Sequence, residues 1–111
     1  MTRAASICIL SAAAALMLAL SLAAAAHGPG SDWLMNGDYR DNYGLHCCSP
    51  GLDCLRAEPG EVVRVKGGWL HVPTDTELLD GDAGIHRSES GEMWRCVRGG
   101  QMKCLFIAGG V

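Results

Sequence analysis

Apolar residues crowd the first part of the chain and thin out after Ala26. Between Ala4 and Ala26 only Ser6, Ser11 and Ser21 interrupt the run. Preceded by Arg3 and closing on Ala24-x-Ala26, this stretch reads as a secretory signal peptide, Met1–Ala26, with its apolar region over Ile7–Leu22. The run is long enough to cross a bilayer. It is followed, however, by His27-Gly28-Pro29-Gly30 and not by the basic or aromatic flank of a retained anchor. Cleavage after Ala26 is therefore expected, leaving no membrane segment. Cys8, which has no lipobox before it, would leave with the leader.

Beyond the leader, two stretches alternate with a period of two. Glu61–Pro73 centres on Gly67-Gly68, and reading those glycines as a two-residue turn predicts a hairpin. Val65 then faces Leu70 and Val63 faces Val72, while Lys66 meets Trp69 and Arg64 meets His71 on the other side. Met93–Ile107 predicts a second hairpin. A three-residue loop, Gly99-Gly100-Gln101, sets Cys96 opposite Cys104, Trp94 opposite Phe106 and Arg98 opposite Met102. Trp94, Cys96, Met102, Cys104 and Phe106 then share a face.

Elsewhere the pattern is weak. His27–Gly44 is an irregular segment whose aromatics, Trp33, Tyr39 and Tyr43, are expected to pack on the core, with room for one helical turn. His46–Cys54 is a turn-rich loop bracketed by thiols. Asp75–Gly91 reads as an acidic connecting loop, with a short helix over Thr74–Leu79 as an option. The predicted fold is a small all-β or β-rich irregular, disulfide-stabilised domain: two antiparallel hairpins over residues 45–111, behind the cleavable signal.

Composition sharpens this picture. The chain has 111 residues, net charge −3 and 6 cysteines. Losing Arg3 with the leader makes the remainder more acidic, and no Lys/Arg cluster offers a nucleic-acid footprint. Apolar residues are concentrated in the leader, so the exported domain has a thin core that favours covalent staples. Cys47, Cys48, Cys54, Cys96 and Cys104 are an odd set, leaving at least one unpaired in a monomer. Cys47 and Cys48 are sequence neighbours, and a bridge between them would be strained. Cys96 and Cys104, directly across strands, sit wider than a relaxed bridge prefers. The expectation is a loop laid over the hairpin, with Cys54 and one of Cys47 or Cys48 reaching Cys96 and Cys104. The other of that adjacent pair faces outward. The same cysteines could form a metal site, but no pair has the two-residue gap of a zinc knuckle, and an exported chain favours disulfides.

Other chemistry is thinner. His27, as a new N-terminus, would offer an amine and a ring nitrogen to Cu(II), and His46 could add a third ligand. Asp80-Gly81-Asp82 lacks the bidentate Glu and regular oxygen spacing of a calcium loop. Ser88 and Ser90 near His86 have no third partner and no nucleophile elbow, so hydrolase activity is not expected. Trp69, with Arg64, Lys66 and His71 on its face of the first hairpin, offers a partner-binding surface.

The chain resembles a group of short exported bacterial proteins of unknown function. The residues that carry the likeness are His27, Trp33, Cys47-Cys48, Asp53-Cys54, Gly67-Gly68-Trp69, Trp94-Arg95-Cys96 and Cys104-Leu105-Phe106. The resemblance spans nearly all of the chain after the leader, and a Gly-Pro-Gly spacer between His27 and Trp33 is a departure from it. It implies a similar fold and an envelope location, and it implies no activity. The reading overall is a non-enzymatic periplasmic or secreted protein that binds or supports an envelope component. Copper binding and thiol redox chemistry are the alternatives.

Overall fold

In the computed structural model, residues 30–48 and 53–109 are described. The expected leader, His27 and the middle of the Cys48–Cys54 loop lie outside them. Among the described residues, one short helix, α1 (Asp32–Asn36), precedes seven strands: β1 (Asp53–Arg56), β2 (Val62–Val65), β3 (Gly68–His71), β4 (Thr76–Leu79), β5 (Ile85–Arg87), β6 (Trp94–Arg98) and β7 (Gln101–Ile107). Both expected hairpins are present, as β2–β3 and β6–β7. They belong to two sheets. The larger runs β1-β6-β7-β5, and the smaller is the meander β2-β3-β4. No helix among the described residues is long and apolar enough to cross a membrane.

The larger sheet is covered on both faces, which explains why β7 reads as a nearly continuous buried run and not as an alternation. One face carries Cys54, Trp94, Cys96, Cys104 and Phe106, roofed by Leu34 and Cys47 with Trp33 and Tyr39 packed alongside. Trp33 sets its ring edge-on to Trp94 and Phe106, at centroid separations of 6.1 and 5.2 Å. Tyr39 meets Phe106 the same way at 5.1 Å. The aromatics of the N-terminal segment thus extend the thin core, except Tyr43, which is exposed. The opposite face carries Met102, Leu105 and Ile107, packed against Val62 and Leu78 of the smaller sheet.

Several expectations change in register. In the first hairpin Val65 pairs with Gly68, Arg64 with Trp69, Val63 with Leu70 and Val62 with His71. The turn is therefore Lys66-Gly67, and Gly68 belongs to β3. Gly67 takes φ +78°, whereas Gly68 is needed for space, since a Cβ there would sit 2.5 Å from the Leu78 carbonyl oxygen of β4. The two-residue slip keeps each side chain on its predicted face. Burial, however, favours the face of Val62, Trp69 and His71 over the purely aliphatic one.

In the second hairpin, Cys96 faces Cys104 and Trp94 faces Phe106, yet the turn has two residues, not three. Gly99 and Gly100 both have positive φ, as the tight hairpin turn requires. A bulge between Cys96 and Val97 reconciles the two: Val97 pairs with Met102 and Cys96 with Cys104, so Lys103 is extra. Arg98 consequently pairs with Gln101. Met102 swings away from the cysteine face into the opposite core, correcting its predicted placement.

The acidic stretch Asp75–Gly91 is not a plain loop. It holds β4, where a short helix was an option, and β5, which runs parallel to β7. Gly84 permits that approach. Its carbonyl accepts the Leu105 amide at 2.9 Å, and a Cβ would sit 2.3 Å from the Lys103 carbonyl oxygen. Gly84→Ala is expected to cost about 1–2 kcal/mol by overpacking, read as a lowered urea midpoint with an unchanged m-value.

Candidate functional site

Two places concentrate chemistry. The first is the sulfur row on the roofed face of the larger sheet. Cys54, Cys96 and Cys104 are cross-strand neighbours along β1, β6 and β7. Cys54 bonds to Cys96 within the sheet, and Cys104 bonds upward to Cys47 in the roof. All four are fully buried. Among the described residues, Cys48 is the free cysteine. It is half-buried and turned toward the row, its Sγ 3.8 Å from Cys54 Sγ, where an outward-facing thiol was expected. Burial pushes its pKa above the ordinary thiol value.

His86 closes one end of the row. Its ring stacks on Phe106 at 5.2 Å, its Nε2–H donates to the Arg40 carbonyl at 2.8 Å, and the same nitrogen lies 3.8 Å from Cys47 Sγ. Cys47, His86 and Cys104 bring three metal-type ligand atoms within 4.8 Å of one another. With both thiols spent on one disulfide, this group presents an imidazole beside a bridge and not a set of anionic ligands. Ser88 and Ser90 have structural roles: their hydroxyls lie 3.2 Å apart, and Ser90 Oγ accepts the Trp94 indole N–H at 2.8 Å.

The second place is a groove of about 600 Å³ where the ends of the two sheets meet. Its apolar walls include Pro59, Val72, Pro73 and Val97, and its polar floor is organised by one carboxylate. Glu61 Oε2 accepts from His71 Nε2, at 2.7 Å, and from Arg95 Nε, while Oε1 accepts the Glu58 amide at 3.0 Å. The Glu61 side chain is only 9% exposed and that of Arg95 15%. Burial alone would raise the Glu61 pKa, but the hydrogen bonds from Glu58, His71 and Arg95 and the Arg95 charge outweigh it and hold it below the usual carboxylate value. His71 is fixed from behind as well. Its Nδ1 lies 2.6 Å from the Thr74 hydroxyl, that hydroxyl lies 2.8 Å from Thr76 Oγ1, and Thr76 Oγ1 accepts the Met102 amide at 3.4 Å. A polar chain thus runs from β7 through the smaller sheet to Arg95 on β6. At the lip, Asp53 and Glu58 are exposed, so the mouth is acidic.

The predicted site residues fall differently from expectation. His71 is buried in this network and is not part of an exposed face. Trp69 is half-buried against the core that includes Val62 and Met102. Arg64 lies over its ring at 5.1 Å and pairs with Asp80. Lys66 is an exposed turn residue. The four residues therefore do not form one open surface. His46 spends both ring nitrogens locally, donating from Nε2 to the Gly37 carbonyl and accepting the Cys48 amide at Nδ1, 3.0 Å away. As placed, it offers no lone pair to copper.

Glu61 and Arg95 were missed as site residues. Each is one of several charges in its hairpin pattern, Glu61 just before β2 and Arg95 within β6, and neither stands out until the two sheets bring them together. Comparison with protein-family models, curated proteins and solved structures returned no match.

Proposed function

We propose that the protein is a small, non-enzymatic binding domain of the bacterial cell envelope, exported to the periplasm or beyond, whose ligand site is the groove over Glu61 and Arg95. Export is supported by the leader pattern of Met1–Ala26 and by two disulfides, which suit an oxidising compartment. The resemblance to short exported proteins of the same cysteine layout points the same way.

The observation that carries the binding reading is a preorganised concavity: apolar walls around a hydrogen-bonded charged floor. Small-ligand sites have this character, being mostly apolar with a few fixed polar groups. Arg95 is engaged by Glu61 and, more loosely, by Asp53, whose carboxylate lies 3.9 Å away, and the exposed lip acids Asp53 and Glu58 keep the mouth acidic. The groove therefore suits a ligand with an apolar body and a basic group, such as a short peptide segment.

A Leu-Arg-Leu tripeptide titrated into isotope-labelled protein tests this. Saturable amide shifts are expected at Glu61, Val72, Arg95 and Val97, and a Leu-Glu-Leu control should leave those signals in place. Equal shifts with both peptides, or shifts scattered over the whole surface, would remove the groove from consideration.

A further inference from the structure

Cys48 is held where a nucleophile would be held. Its amide is fixed to His46 Nδ1, the His46 ring is fixed to the Gly37 carbonyl, and its neighbour Cys47 is tied to Cys104. These restraints deliver a reduced thiol to the Cys54–Cys96 bridge, with Sγ 3.8 Å from Cys54 Sγ. A thiolate attacks the disulfide sulfur it can reach, and the partner sulfur departs.

We propose that Cys48 is the nucleophile of an internal thiol–disulfide exchange centre whose substrate is the chain's own Cys54–Cys96 bridge. The Cys48 thiol releases its proton to solvent, and the thiolate lone pair forms a bond to Cys54 Sγ. The Cys54–Cys96 bond breaks, its electron pair leaves on Cys96 Sγ, and Cys96 takes up a proton. One disulfide is lost and one gained, so the step is an isomerisation needing neither oxidant nor reductant. Its product carries a Cys48–Cys54 bridge and a free thiol at Cys96.

The step has a mechanical result. Cys54 lies on β1, an edge strand, and Cys96 lies on β6 beside it. Exchange transfers the covalent tie of β1 from the sheet to the roof segment, leaving β1 on the sheet by its hydrogen-bond ladder alone. Burial raises the Cys48 pKa, which keeps the attacking thiolate scarce near neutrality and makes the step base-promoted.

The test uses the exported protein without reductant, incubated at increasing pH, denatured, trapped with N-ethylmaleimide and mapped by mass spectrometry. In the wild type, a Cys48–Cys54 peptide and label on Cys96 are expected to grow with time, at a rate rising about tenfold per pH unit below the thiol pKa. Cys48→Ser should retain Cys54–Cys96 throughout. In Cys96→Ser, which frees Cys54 from its usual partner, oxidised glutathione supplied as the two-electron acceptor should close Cys48–Cys54 in high yield, releasing reduced glutathione, with Cys47–Cys104 intact. The proposal falls if the wild type carries label on Cys48 alone at every pH and time. It falls equally if Cys96→Ser, treated with oxidised glutathione, leaves Cys54 open to label.

Discussion

Replacing Cys47 and Cys104 together by serine is expected to lower the melting temperature by roughly 12–24 °C while the Cys54–Cys96 bridge persists. The two bridges are nested, with sequence separations of 57 and 42. Once the inner one is closed, the outer adds only the short ring from Cys47 to Cys54 and from Cys96 to Cys104. Its removal then costs about 3 kcal/mol, as for a loop of about fifteen residues. Reducing both bridges adds the inner loop and brings the loss to about 7 kcal/mol, comparable with the whole stability of a small domain, about 5–15 kcal/mol. Paired melts with and without a strong reductant check this. Curves that coincide would mean that packing alone holds the two layers.

Glu61→Ala is expected to destabilise the fold by about 3 kcal/mol, because it leaves His71 buried, and Arg95 half-buried, without their shared acceptor. Glu61→Gln keeps a neutral acceptor and should cost less. The charge also predicts an acid limb. The folded pKa of Glu61 lies below its unfolded value, so the unfolded state binds more protons in acid. The carboxylate's contribution is therefore complete above the unfolded value, about 4.3, and is lost as pH falls through the folded pKa. Urea midpoints measured from neutrality into acid should fall less steeply for Glu61→Gln than for the wild type. A cost below about 1 kcal/mol for Glu61→Ala, or identical acid limbs, would remove Glu61 from its place at the centre of the network.

How much of this was legible in the chain depended on range. Both hairpins could be read, because alternation and glycine turns are local signals, and the cross-strand pairing of Cys96 with Cys104 followed from them. The bulge at Lys103 could not be read. A two-residue turn and a paired Cys96–Cys104 looked incompatible until one residue was allowed to drop out of the ladder. β5 has only three residues and acquires its meaning from β7, a parallel partner distant in sequence. The groove was hidden for the same reason: Glu61 and Arg95 sit 34 positions apart and meet only when the meander lies against the larger sheet. Trp33 and Tyr39 were readable as core recruits because a thin core needs them. Tyr43 carried the same signal and lies in the open.

The strand order β1-β6-β7-β5 puts β6 and β7, which follow every other described element in sequence, at the centre of the larger sheet. A polypeptide emerging N-terminus first can close the β2-β3-β4 meander early, since those contacts are local. β1, Cys47 and Cys54 must wait for their strand and disulfide partners until residues 94–107 have arrived. Final assembly is therefore a single late event governed by delivery of the C-terminal ribbon. A chain arrested before Trp94 would carry only a small three-stranded sheet and neither of the bridges Cys47–Cys104 and Cys54–Cys96.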